Sequence, residues 1–212
     1  MTEVKICGLS TPDTLSAALE GGASYVGAVI FPKSPRHLEP EQAGELFEAA
    51  RGRAKIVAVV VNPDDALLER IATYLKPDFI QLHGSETPER AAEVRLLTGA
   101  RIIKALPIRE EADFAQVSVW ADAADILLFD AKPPKGADLP GGVGHSFDWA
   151  LMANRPLPAR WFLAGGLDGR NLGEALRITG APMVDVSSGV ERGAGVKDIA
   201  LIKAFLDAAR RS

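Results

Sequence analysis

A single-domain α/β barrel, eight parallel strands each followed by a helix in the (β/α)8 or TIM-barrel arrangement, is predicted by three observations. Short β-rich runs alternate with longer amphipathic segments along the whole chain, and no linker divides it. The strongest run, AKIVAVVV, is nearly continuous in apolar residues, as a parallel strand covered on both faces must be. Eight such units fit into 212 residues at roughly 26 residues each, lean but within the range of the barrel. An open doubly wound sheet is the competing architecture. It is weakened because the first strand runs into Gly8-Leu9-Ser10 and not into a G-x-G-x-x-G turn.

Residues 4–7 form the first strand, and Thr11-Pro12-Asp13 opens a helix to about Glu20 that Gly21-Gly22 stops. The second strand spans 25–31. After the turn at 32–35, Glu39-Pro40-Glu41 starts a helix through about Ala50, and strand three covers 55–61. Asn62-Pro63-Asp64 caps a helix to about Leu75, strand four is 79–82, and Thr87-Pro88-Glu89 begins a helix to about Leu97. Strand five is 101–105, a helix lies near 110–119, and strand six is 126–129. A helix follows Phe147, strand seven is 161–164, and helix seven is 171–179. Strand eight at 183–186 and a helix at 198–210 complete the count.

With 47% hydrophobic residues the chain can bury one substantial core. Its net charge of -4, with the basic residues scattered, argues against a nucleic-acid or anionic-membrane partner. The first residues, MTEVKICGLS, have no apolar signal-peptide core, and no apolar run reaches the ~18 residues of a membrane span, so a cytoplasmic protein is expected. One cysteine and three scattered histidines give no metal-ligand spacing, and no metal is expected. Monomer and homodimer both remain open.

In such a barrel the functional groups belong at the C-terminal ends of strands. The first strand ends in Lys5-Ile6-Cys7-Gly8, and two-residue alternation turns Lys5 and Cys7 inward together. A lysine beside a thiol favours the thiolate, which makes Cys7 a candidate base or nucleophile; the bland alternative is a buried cysteine acting as a small hydrophobe. Strand six stops at the carboxylate Asp130, which is followed by a segment rich in Pro and Gly, far longer than an ordinary strand-to-helix loop. Asp130 is either a functional acid or a helix cap. Strand two leads to Ser34-Pro35-Arg36, where Arg36 suits a carboxylate or a phosphate, or is a solvated surface residue. His83, after strand four, is a substrate contact, a proton carrier or, by preference, a structural histidine. The loops after strands seven and eight carry Gly165-Gly166 and Ser187-Ser188-Gly189, the backbone-rich loops where barrels often bind phosphate.

Taken in order, Lys5-Ile6-Cys7-Gly8, Ser34-Pro35-Arg36, Gln81-Leu82-His83-Gly84, Asp130, Gly141-Gly142-x-Gly144-x-x-Phe147-Asp148-Trp149, Ala164-Gly165-Gly166-Leu167 and Asp185-Val186-Ser187-Ser188-Gly189-Val190-Glu191 resemble the phosphoribosylanthranilate isomerases of tryptophan biosynthesis. Val143 departs from the family, which more often has Thr or Ser there. The resemblance implies a metal-free, cofactor-free Amadori rearrangement of a small phosphoribosyl substrate. It implies Asp130 as general acid and Cys7 as general base, with Lys5 and His83 among the substrate contacts. Arg36 would hold the anthranilate carboxylate, Asp185 the sugar hydroxyls, and the loops at Gly142, Gly144, Gly165, Gly166, Ser187, Ser188 and Gly189 the remaining contacts, phosphate included. Two other readings compete. One is a histidine-pathway phosphosugar isomerase, which resembles a two-aspartate arrangement in place of Cys7 and Asp130; the other is a non-catalytic phosphate-binding barrel.

Overall fold

The computed structural model describes residues 2–131, 147–153 and 155–212. Its centre is a closed parallel barrel in sequence order: β1 (Glu3–Cys7), β2 (Tyr25–Val29), β3 (Lys55–Val60), β4 (Phe79–Leu82), β5 (Arg101–Ile108), β6 (Ile126–Ala131), β7 (Trp161–Leu163) and β8 (Met183–Val186). The ring closes where β8 pairs with β1, with Asp185 opposite Lys5. Helices α1 (Pro12–Glu20), α2 (Pro40–Phe47), α3 (Asp65–Arg70), α4 (Pro88–Thr98), α5 (Ala115–Trp120), α6 (Leu172–Thr179) and α7 (Ile199–Arg211) cover its outside. Their starts follow from local chemistry. Thr11, Asp64, Thr87 and Asp198 each accept a hydrogen bond from a backbone N–H of the first turn, and Pro12, Pro40 and Pro88 occupy first-turn positions that need no donor.

Alternation along the strands creates two cores. Val4, Ile6, Val26, Ile56, Ile80, Ile102, Leu127, Leu163 and Val184 face the helices. The opposite positions fill the barrel itself. At its lower end Tyr25 packs edge-on against Phe162, with centroids 5.2 Å apart, and against Phe79 at 5.8 Å. Arg101 stacks over Phe79, and Arg160 Nη2 donates to the Tyr25 hydroxyl at 2.7 Å. This apolar plug leaves polar groups only the upper, C-terminal half of the interior.

Four stretches differ from the sequence expectation. β2 ends at Val29 and not at Phe31, because the chain turns back there and Leu38 N donates to Val29 O. β5 runs on to Ile108 because β6 continues beside it, pairing Pro107 with Asp130 and Ile108 with Ala131. The segment after Phe147 forms a single 3-10 turn, Trp149–Met152, where a helix was expected. Pro156 follows closely, and a proline pushes the residue before it out of the helical region. Finally, β8 is followed by a 3-10 turn, Ser188–Val190, and a small antiparallel hairpin of β9 (Glu191–Gly193) and β10 (Val196–Lys197), which was not foreseen. The long loop after β6, with Gly142, Val143 and Gly144, lies outside the described residues.

Candidate active site

The C-terminal end of β1 brings the first two candidates inside the barrel, as alternation required. Lys5 is fully buried and Cys7 is 6% exposed. They lie side by side over Gly27 of β2. A methyl group on Gly27 would come within 3.3 Å of both Cys7 Sγ and Lys5 Cε, so a residue with no side chain makes the room. Lys5 Nζ donates to Asp185 Oδ1 at 2.9 Å. Burial works against the lysine's charge, but Asp185 outweighs it and carries the Lys5 pKa above its ordinary value. Breaking such a buried pair strands the other charge, at a cost of about 3–5 kcal/mol. Against a total stability of roughly 5–15 kcal/mol, that makes Lys5–Asp185 a structural commitment of the fold.

This pairing corrects the expectation for Cys7. The thiol's pKa is raised: burial is the largest cause, and the opposing pull of Lys5 does not overcome it. Asp185 adds to the effect of burial, since its carboxylate takes up the lysine's charge and itself disfavours a thiolate. Asp185, assigned to sugar hydroxyls by resemblance, is the lysine's partner.

Arg36 is buried at 6% exposure, which removes the reading as a solvated surface residue. Its stem lies across Gly8, where an added Cβ would come within 2.6 Å of Arg36 Cδ. The guanidinium therefore sits beside the end of β1. Its Nε donates to Glu191 Oε1 at 2.7 Å and its Nη2 to Glu191 Oε2 at 2.8 Å, a two-toothed pair. Burial opposes the charge on Arg36, yet Glu191 holds its pKa above the ordinary value.

Across the ring, Asp130 is 8% exposed and accepts from Ala131 N at 2.8 Å through Oδ1. His83 Nε2 stands 3.3 Å from Asp130 Oδ2, so the structure brings together two residues that the sequence left separate. Behind the ring, Gln81 Nε2 contacts His83 Nδ1 at 3.0 Å. Gln81 Oε1 is buried without a partner among the described residues. The loop that carries His83 is locked from below: Glu86 accepts from the N–H groups of Asn62 and Gly84, and Lys104 Nζ donates to Glu86 Oε2 and to Gly84 O, both at 2.7 Å.

The two glycine-bearing loops close the circle between acid and thiol. A Cβ on Gly165 would come within 3.1 Å of Asp130 Oδ1, and one on Gly189 within 1.9 Å of Leu167 O. The strand-seven loop with Gly165 and Gly166 thus lies against Asp130, and the strand-eight loop with Ser188 and Gly189 lies against the strand-seven loop. Ser187 Oγ donates to Cys7 O at 3.2 Å, which joins the last loop to the first strand. Gly142 and Gly144 lie outside the described residues. Sequence reasoning quoted Gln81 and Glu191 within motifs without giving either a role, and it missed Lys197 and the Lys104–Glu86 pair. A signal existed for two of them: Gln81 and Lys104 are polar residues inside apolar strands.

Among the described residues no group of three His, Cys, Asp or Glu side chains is placed to hold a metal ion, and no helix is long and apolar enough to cross a membrane. Comparison with known proteins gives one consistent result. A family model described as N-(5'-phosphoribosyl)anthranilate (PRA) isomerase matches residues 4–208. The N-(5'-phosphoribosyl)anthranilate isomerase of Caulobacter vibrioides is 52% identical over 209 residues, covering 98% of this chain and 95% of the relative. The crystal structure of phosphoribosyl anthranilate isomerase from Thermotoga maritima superposes with a TM-score of 0.89 at 32% identity over the full length of both chains. A phosphoribosyl anthranilate isomerase solved in complex with reduced 1-(o-carboxyphenylamino)-1-deoxyribulose 5-phosphate is 30% identical over the full length of both, with a TM-score of 0.85. A closed eight-stranded barrel with these residues at its mouth and relatives of this closeness along its whole length leaves one assignment: the chain belongs to the N-(5'-phosphoribosyl)anthranilate isomerase family.

Proposed function

We propose that this chain converts N-(5-phosphoribosyl)anthranilate into 1-(2-carboxyphenylamino)-1-deoxyribulose 5-phosphate, with Asp130 as general acid and Cys7 as general base. The observation that carries the mechanism is the pairing of a buried carboxyl and a buried thiol at the ends of β6 and β1, in one mouth and joined through the loops at Gly165 and Ser187.

Asp130 gives its proton to the furanose ring oxygen as the C1–O bond breaks, and the nitrogen lone pair forms the C1=N iminium. The Cys7 thiolate then takes the C2 proton; the C2–H electrons become a C1=C2 bond and the iminium collapses to an enolamine. The enolamine gains a proton at C1 and loses its hydroxyl proton, giving the ketone. One proton has left Asp130 and one has reached Cys7, and exchange with solvent resets both. His83, 3.3 Å from Asp130, orients the acid. Because burial raises the Cys7 pKa, the thiolate is the minority form below that pKa, and its fraction sets the rate of the second step.

Arg36, gripped by Glu191 along its Nε–Nη2 edge, faces the anthranilate carboxylate with the rest of its guanidinium. The phosphate lies at Gly165, Gly166, Ser187, Ser188 and Gly189, in the loops after β7 and β8. No metal takes part. The direct test follows the fluorescence of phosphoribosylanthranilate with purified protein in excess EDTA. Decay proportional to protein concentration is expected. Loss of activity on chelation, restored by a divalent ion, overturns the metal-free reading, and no decay with or without a divalent ion overturns the function.

A further inference from the structure

The hairpin after β8 is absent from the mechanism above, yet it is built around two charges that are almost completely enclosed: the side chains of Glu191 and Lys197 are 3% and 1% exposed. Both oxygens of Glu191 are engaged by Arg36. Lys197 Nζ donates to Glu191 Oε1 at 2.6 Å, Ser187 O at 2.9 Å and Ser187 Oγ at 3.1 Å, one acceptor for each N–H of an ammonium. At the hairpin turn, Gly195 N donates to Glu191 Oε2 at 3.1 Å, and a Cβ on Gly195 would come within 2.5 Å of Pro35 O. The hairpin therefore grips the β2 loop at two successive residues, Pro35 by backbone contact and Arg36 by its carboxylate.

Charge explains why the second cation is needed. An arginine bound two-toothed to a glutamate is a neutral pair, with little pull on a further anion. Among the described residues the protonated Lys197, although burial lowers its pKa, leaves the Arg36–Glu191–Lys197 group with one net positive charge, the complement of one carboxylate. Through Ser187 the same ammonium also reaches the strand-eight loop. We propose that Glu191 and Lys197 are positioning residues for the carboxylate grip: Glu191 fixes the direction of the Arg36 guanidinium, and Lys197 restores the positive charge that Glu191 cancels. The inference rests on the reading of Arg36 as the carboxylate contact.

The test measures kcat, KM and thermal midpoint for the full chain and for E191Q, E191D, K197M, R36K and the double variant R36K/E191Q, with phosphoribosylanthranilate as substrate. E191Q and K197M should each raise KM about tenfold or more while kcat changes less, since uniform binding is what they remove. E191D should recover part of the loss, and E191Q should cost much less in the R36K background than alone, because both changes damage one contact. A merely structural role would instead lower the thermal midpoint and kcat together and add fully to R36K. If E191Q folds poorly, E191D and K197M decide the matter by the same KM-against-kcat split. Wild-type KM in E191D and K197M, or full additivity with R36K, overturns the proposal while the activity stands. An unchanged KM in R36K overturns both this inference and the Arg36 assignment, and no turnover by the wild-type chain overturns the functional reading itself.

Discussion

On the β8–β1–β2 side of the barrel mouth the buried charges are tied to one another, Lys5 to Asp185 and both Arg36 and Lys197 to Glu191, whereas on the β4–β6 side Asp130 meets a histidine and its own backbone. The first side is crowded with cations, yet its thiol is pushed up, because burial outweighs the pull of Lys5 and Lys197. On the second side Asp130 stands at the end of a row of side chains, Gln81 to His83 to Asp130. The lesson is that a nearby positive charge activates a nucleophile only to the extent that it outweighs the cost of burying the nucleophile's charge.

The largest effects are expected from removing the proposed proton carrier on either side. Cys7→Ser replaces the thiol with a hydroxyl too weak to serve as a base, and Asp130→Asn keeps the shape without the transferable proton. Each is expected to lower kcat by about 10²–10⁴-fold while the protein still folds and binds the reduced product analogue. Near-wild-type turnover in either variant removes that residue from the mechanism and erases the comparison. An intermediate effect is expected at Arg36, which belongs to the charged side and is the proposed contact for the substrate carboxylate. Arg36→Ala should raise KM about tenfold or more with a smaller change in kcat, and Arg36→Lys should rescue it only in part, since a point charge cannot make a two-toothed contact. An unchanged KM in steady-state assays would show that Glu191 is the arginine's whole purpose. The smallest effect is competition by inorganic phosphate, expected to raise KM without lowering kcat and to give density at the loops of Gly165-Gly166 and Ser187-Ser188-Gly189 in a soaked crystal. Density elsewhere with no competition would remove the phosphate assignment.

Much of this architecture was legible from sequence because buried parallel strands announce themselves as apolar runs. Residues 79–82 and 183–186 were placed with the bounds the structure has, and the inward turn of Lys5 and Cys7 followed from alternation alone. The hairpin was not legible. Glu191-Arg192-Gly193-Ala194-Gly195-Val196-Lys197 carries no period-two apolar pattern, and it is held by the ion pair of Glu191 to Arg36, far off in the chain, and by hydrogen bonds of Lys197 to Ser187, outside any pattern. The state of Cys7 was misjudged because Lys5, two residues away, is visible in the sequence, while the burial that outweighs its pull comes from the closed barrel around the thiol. His83 beside Asp130 likewise depends on how strands four and six are arranged around the ring, which no local pattern encodes.

The claim at the centre is that the Cys7 thiolate removes the C2 proton, and that it does so as a minority form because burial raises the thiol's pKa against the pull of Lys5. Its most direct test is to measure kcat/KM and the rate of Cys7 alkylation by iodoacetamide over the same pH range on the same protein. The free-enzyme thiolate is required for both, so each should rise with pH through one shared apparent pKa above the ordinary thiol value of 9.0, and product analogue should protect against alkylation. A shared pKa well below that value would mean that Lys5 does activate the thiol, and full activity after complete alkylation of Cys7 would contradict the mechanism.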